Sequence, residues 1–261
     1  MAPILASVGS VFDVRGGEVR RRLTYYLGAL LLARHLELRH RVDEETVDIA
    51  RRALVAARDC PFQIDIGWAV FNVGFCWLWH GEIDEAGENL TEALQIAERS
   101  GSAAMRALSL SFHNLAALRR GDAPGVGRLA PEAIEAAYAA SRPQYAATAK
   151  ASLAWMAWKT GRVEEVEALA KDALSSWPPG SWQPFHWVCL WPLVAVRLAA
   201  GLVADAVEAA GQLLPAPQQR FPDELEAEVQ AGIRSWERGD PEGARETLAR
   251  ALELAQEMGF A

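Results

Sequence analysis

The stretch 68-WAVFNVGFCWLWHGEIDEAGENLTEALQIA-97 decides the fold. It reads as two amphipathic helices joined at a tight turn on Gly81, and the same unit recurs along the chain. Equivalent turns fall at positions 41, 81, 121, 161, 201 and 239, a spacing of 40 residues that closes to 38 at the last. Their occupants are Arg41, Gly81, Gly121, Gly161, Gly201 and Gly239. A period in this range marks a helical repeat array, in which stacked helix pairs bury a face that no single pair could bury.

Alignment on the turn identifies that face. Three residues before it stand Leu38, Leu78, Leu118, Trp158, Leu198 and Trp236; six before stand His35, Phe75, Leu115, Trp155, Ala195 and Ile233. In the second helix, Ala50, Leu90, Ala130, Ala170, Ala210 and Leu248 come nine residues after the turn. Ala53, Ala93, Ala133, Ala173, Leu213 and Ala251 come twelve after it. Offsets of three and four make one stripe on a helix. Small alanines let neighbouring helices approach, and the adjoining leucines fill the space beside them. No segment alternates with period two, so no sheet is expected. Prolines or glycines at 61, 101, 143, 178–180, 215, 217 and 222 punctuate the junctions between pairs. The expectation is an all-α solenoid of six antiparallel helix pairs. They are placed at about 18–58, 62–99, 102–140, 143–176, 182–214 and 222–258, behind an irregular leader over 1–17.

Gly81-Glu82-Ile83-Asp84-Glu85-Ala86 with Leu90 and Ala93 resembles the turn and second helix of a tetratricopeptide repeat. Gly161-Arg162-Val163-Glu164-Glu165-Val166 with Ala170, Ala173 and Pro178 resembles it too. So do Gly201, Val203, Ala206 and Ala210, and Gly239-Asp240 with Ala244, Leu248 and Ala251. Gly74 fills the small position of the first helix, where the first and third units carry Arg34 and Asn114 instead. Units of 40 residues, longer than the usual ~34, resemble the sensor region of bacterial maltotriose-dependent activators and related large ATPase regulators. HEAT-like repeats have a similar period, but the Gly-Asp/Glu turns favour the tetratricopeptide reading. The resemblance implies a right-handed superhelix with the first helices lining its concave side.

The 261 residues carry a formal net charge of −8, which argues against a general polyanion binder and hence against direct nucleic-acid contact. Cys60, Cys76 and Cys189 are far apart and have no metal-ligand spacing, which fits a reducing compartment. The opening MAPILASVGSVFDV lacks a basic n-region and is too short to span a bilayer, so a cytoplasmic protein without a membrane segment is expected. Phosphate-loop, nucleophile-elbow and zinc-protease motifs do not occur in the sequence; Gly125-Val126-Gly127 lies in a turn and not after a strand. The expectation is a non-catalytic chain with no cofactor and no metal.

The carboxylates Asp43-Glu44-Glu45, Asp84-Glu85, Glu164-Glu165 and Asp223-Glu224 could form acid/base pairs. Their recurrence at the start of second helices favours a dipole role. Arg39-His40, Trp79-His80, Arg119-Arg120 and Lys159 read as cations at the carbonyl ends of first helices. Of the ten tryptophans, Trp68, Trp155, Trp158, Trp191 and Trp236 lie on the apolar stripe or its extension. Trp77, Trp79, Trp177, Trp182 and Trp187 lie off it. The run 177-WPPGSWQPFHWVCLW-191 is the candidate site: Trp177, Trp182, Phe185, His186 and Trp187, with Trp79, would offer aromatic faces and a few polar tips. The same residues could instead pack a rigid junction. The expected function is binding of a protein or peptide partner, or of a small inducer, as the sensor or interaction part of a bacterial signalling or transcription regulator. The alternative is a pure scaffold that binds a peptide or itself. The last helix keeps its apolar stripe through Leu252 and Ala255 to Met258-Gly259-Phe260, so an apolar array end is expected, pointing to self-association or to a longer chain.

Overall fold

The computed structural model describes residues 17–60, 62–178 and 184–261. Twelve α-helices and no strand occur among them. They are α1 (Gly17–Glu37), α2 (Glu44–Arg58), α3 (Gln63–His80), α4 (Ile83–Ser100), α5 (Ala103–Arg119) and α6 (Ala123–Ala139). Then follow α7 (Pro143–Lys159), α8 (Val163–Ser176), α9 (Trp187–Ala199), α10 (Val203–Gly211), α11 (Asp223–Glu237) and α12 (Pro241–Glu257). Helices linked by two or three residues run antiparallel, and consecutive helices from α1 to α4 and from α6 to α12 pack on one another, consistent with a helical solenoid. The chain divides within α5 into two compact units, Met1–Ser109 and Leu110–Ala261.

The turns explain themselves through backbone conformation. Gly81, Gly121, Gly161, Gly201 and Gly239 all have positive φ, from 74° to 124°, where a Cβ is disfavoured. The first pair has no glycine there. Arg39 and His40 take positive φ instead (49° and 61°), and the connection widens to residues 38–43. Arg34 holds this wider turn. Its guanidinium is 5% exposed, donates to both Asp43 carboxylate oxygens at 2.9 and 2.7 Å and to Thr46 Oγ1 at 2.8 Å, and pairs with Glu45 at 3.2 Å. The unexpected arginine at the small position is thus a strut for a turn that lacks its glycine.

Second helices start on carboxylates. Asp43, Asp122 and Asp240 each accept, at 2.9 Å, from the backbone N–H three residues on, satisfying an orphan donor of the first turn. Glu44-Glu45, Asp84-Glu85 and Glu164-Glu165 stand in first turns of second helices, near the positive end of the helix dipole, whereas Asp223-Glu224, expected to do the same, opens α11, a first helix. His80, Arg119 and Lys159 stand in last turns, at the negative end. Gly125 and Gly127 lie inside α6, not in a loop, and Gly125 N–H is engaged by Asp122.

The alanine columns are core. Ala50, Ala130, Ala170 and Ala210, and Ala93, Ala133, Ala173 and Ala251, have no exposed surface. In the first unit Leu23, Leu27 and Leu31 of α1 meet Val47, Ile49 and Ala53 of α2 and Val73 and Cys76 of α3. In the second unit Trp155, Trp187, Trp191 and Phe221 are the largest fully buried side chains. Trp236 departs from expectation: it is 37% exposed. At the end of α12 the expected apolar stripe is covered only in part, since Leu252 and Met258 are half-buried. Leu248, Ala251 and Ala255 are fully buried, and Phe260 folds back with its ring 5.4 Å from Trp187 and 5.0 Å from Phe221. Arg119 lies over that ring at 4.8 Å and donates to Met258 O at 3.2 Å. A cation–π contact and a carbonyl bond together fasten the tail.

Candidate functional site

The junction between α8 and α9 brings several of the sequence-selected aromatics into one buried assembly. Trp177, at the end of α8, is 6% exposed, and its ring lies 4.4 Å from that of His186. Phe185 is 5% exposed and meets Phe112 edge-on at 5.8 Å; Phe112 in turn meets Tyr145 at 6.1 Å. Trp187 opens α9 and is fully buried, its indole Nε1–H donating to Gln219 Oε1 at 2.9 Å. Gln218 Oε1 accepts from the His186 backbone N–H at 3.1 Å, and Gln219 N–H donates to Pro184 O at 2.9 Å. These two glutamines, 5% and 2% exposed, clamp the start of α9 from the Pro-rich segment before α11. Burial holds the His186 imidazole down at about 4, so it is neutral at pH 7. Trp177, Phe185 and Trp187 therefore pack inward. Trp182 lies outside the described residues.

Trp79 belongs to the other unit. It is 8% exposed and stands near Phe75 (5.9 Å) and His40 (6.1 Å). His35 stacks on His40 at 5.5 Å, meets Phe75 edge-on at 4.7 Å and has Nε2 3.7 Å from Cys76 Sγ. Burial lowers His35 to about 4, and burial, then neighbouring His35, lowers His40 well below its ordinary value. Burial also pushes the thiols of Cys76 and Cys189 up to about 12, so neither is a ready nucleophile or metal ligand. No group of three metal-ligating side chains occurs among the described residues. None of their helices is long and apolar enough to cross a membrane.

The open surface of the same junction holds what sequence reading missed. A groove of about 510 Å³ runs between α8 and α9, with Ala168, Leu174 and Leu193 along it and Lys171, Ser175, Glu167 and Arg197 beside them. Arg197 is held flat: Nε and Nη2 reach the two Glu167 oxygens at 2.8 and 3.1 Å, and Nη1 donates to Asp205 O at 2.9 Å. The Glu167 bond raises its already high pKa. Glu167 is thereby spent on Arg197, with Asp205 and Glu208 also near that guanidinium, and Lys171 is the lining cation outside the pair. A fixed arginine plane beside apolar side chains and a lysine can hold a small apolar body with one acidic group. No local motif announces this groove, because its residues come from two helices and only the packing juxtaposes them.

No family model matches the chain, and no curated protein sequence does. A solved structure does: BtubC (BKLC) from P. vanneervenii superposes with a TM-score of 0.54 at 19% identity, over 78% of this chain and 87% of that one. The likeness is one of fold, and it places this chain among helical, repeat-like proteins.

Proposed function

We propose that the chain is a non-catalytic binding region built of tetratricopeptide-like helix pairs, serving as the sensor or interaction part of a bacterial signalling or transcription regulator. The observation that carries the reading is the groove between α8 and α9, with its apolar side chains, Lys171 and the Arg197–Glu167 pair. It suits a small molecule or short peptide segment with an apolar body and one carboxylate or phosphate. The two-helix construction also suits a sensor, because a ligand touching both helices favours the arrangement in which they are spaced to hold it.

The experiment is a thermal-shift screen of the full chain against small apolar acids, sugar phosphates, nucleotides and acidic peptides. A ligand of the native state raises the melting temperature by mass action. Ala168→Arg, at an exposed position along the groove, should abolish the shift without lowering the melting temperature of the free protein. Lys171→Glu should weaken it at least tenfold. A hit that both variants bind unchanged would move the site elsewhere, and turnover of a compound by the purified chain would overturn the non-catalytic reading.

A further inference from the structure

The first helix pair closes on a histidine where the later pairs close on glycine. Gly81, Gly121, Gly161, Gly201 and Gly239 take positive φ at their turns; here His40 does so at 61°, next to Arg39 at 49°. A side chain in that region is disfavoured and persists only where its surroundings hold it. For His40 those surroundings are aromatic. Its ring is 3% exposed, stacks on His35 at 5.5 Å, meets Phe75 edge-on at 5.5 Å and lies 6.1 Å from Trp79. His35 is 6% exposed and has Nε2 3.7 Å from Cys76 Sγ. Two imidazoles are thus stacked inside the joint of α1, α2 and α3.

The charges around this joint do not favour a proton on either ring. On α1, buried Arg34 adjoins His35 and is paired with Asp43 and Glu45. From α2, Glu44 lies 3.5 Å from His80 Nε2; from α3, His80 Nδ1 meets Glu82 at 2.6 Å, and the Cys76 thiol is neutral. Along the chain itself Glu37 and Arg41 are exposed and Arg39 is half-buried. Burial first, and then the Arg34 guanidinium, holds His35 down at about 4; burial, and then His35, holds His40 well below its ordinary value. A proton on one ring of the stack also opposes a proton on the other.

We propose that the turn over 38–42 is an acid-released latch: it stays shut while both imidazoles are neutral, and a proton on either one swings His40 out from Phe75 and Trp79 and uncovers Cys76. Opening frees Arg39 and His40 from positive φ, so the released turn relaxes. The strut beside it survives acid. Burial raises the Asp43 carboxyl, but the bonds from Thr46 and Arg34 outweigh that and keep it below its ordinary value. Arg34 therefore still ties α1 to the start of α2 in the range where the histidines charge, and the motion is confined to the turn. An imidazole lowered in the shut form favours that form fully above pH 6.5, and the preference is lost as pH falls from 6.5 toward 4. At pH 5 His35 alone raises the ratio of open to shut about thirtyfold, and His40 adds to it. All these residues lie in the first compact unit, and the inference does not rest on the groove between α8 and α9.

The three native thiols, all buried, read the latch in the full chain. Cys76 adjoins His35, Cys60 lies near Thr24 and Arg20 at the other end of the first pair, and Cys189 belongs to the second unit. The chain is pulsed between pH 7.5 and 4.5 with a dipyridyl disulfide, which labels thiols in acid, and each cysteine is quantified by peptide mass spectrometry. Ratios between sites cancel the pH dependence of the reagent. Labelling of Cys76 relative to Cys60 and Cys189 should rise at least tenfold from pH 7 to 5. His40→Asn, a residue that tolerates positive φ, should reduce the rise, and His35→Leu combined with His40→Asn should abolish it. A flat Cys76 ratio overturns the proposal. So does Cys60 rising in step with Cys76, which would mean that the whole pair unfolds, and so does a rise that survives the double variant. If the double variant loses the wild-type circular dichroism, His40→Asn alone decides, and an undiminished rise in it overturns the latch.

Discussion

Replacing Gly74 by alanine tests the packing logic of the helix pair at its tightest point. Gly74 is buried in α3, and a Cβ there would meet Asn89 Cβ at 3.0 Å, Leu90 Cγ at 3.1 Å and Leu90 N at 3.1 Å. One of those atoms is backbone and another belongs to a leucine with no exposed surface, so none can swing aside. The helices must separate by several tenths of an ångström to restore ordinary contact. Overpacking of this kind costs about 1–3 kcal/mol, while exchanging glycine for alanine inside a helix returns roughly 0.5–1 kcal/mol. The net is a loss on the order of 1 kcal/mol, a fall in melting temperature of about 2–4 °C for a chain of this size. Gly211 provides the control, since a Cβ there meets nothing within 4 Å and alanine at that position should leave the melting temperature unchanged or slightly raised. Circular dichroism at 222 nm during heating reads both variants. A Gly74→Ala protein that melts at or above the wild type refutes the reasoning, because the gap between α3 and α4 would then be slack.

Three further outcomes follow from the same structure. Trp187→Phe removes the donor to Gln219 Oε1 and strands that buried amide, which should cost about 1–3 kcal/mol in urea denaturation; Trp187→Phe combined with Gln219→Leu should recover part of the loss. Asp122→Ala and Asp240→Ala each remove a cap accepting at 2.9 Å and should each cost about 1 kcal/mol by the same measurement. The buried histidines make stability depend on acid. His35, held at about 4 by burial, binds fewer protons folded than unfolded between pH 6.5 and 4, so its neutral burial costs nothing above 6.5. Stability then falls as pH drops through that window, by up to about 3 kcal/mol; unfolding of His35→Leu between pH 7 and 4.5 should show a shallower slope than the wild type.

Much of the fold was legible because the repeat writes itself many times. Each turn glycine recurs at a fixed spacing, and each alanine column recurs at the same offset from it, so one misread unit is corrected by the others. Single events were not legible. Arg34 looked like a departure from the small position, and only the wide turn without glycine reveals its partners Asp43 and Thr46. Trp236 shared the stripe with Leu38 and Leu78, yet it is 37% exposed. The tail at Phe260 read as an open apolar end, yet three residues far apart in sequence, Arg119, Trp187 and Phe221, close over it. The aromatic run at 177–191 stands out in the sequence as dense, but burial cannot be read from composition, and its partners Gln218 and Gln219 sit some thirty residues on. The groove beside it depends on two helix surfaces meeting, which no local motif records.

The most direct test of the binding groove is hydrogen exchange of the full chain with and without the compound that raises its melting temperature most. The account predicts that amides of 163–176 and 187–199 slow more than those of any other helix. Slowing centred on another helix, such as 63–80 around Trp79, or the failure of every acid in the screen to stabilise the protein, would contradict it.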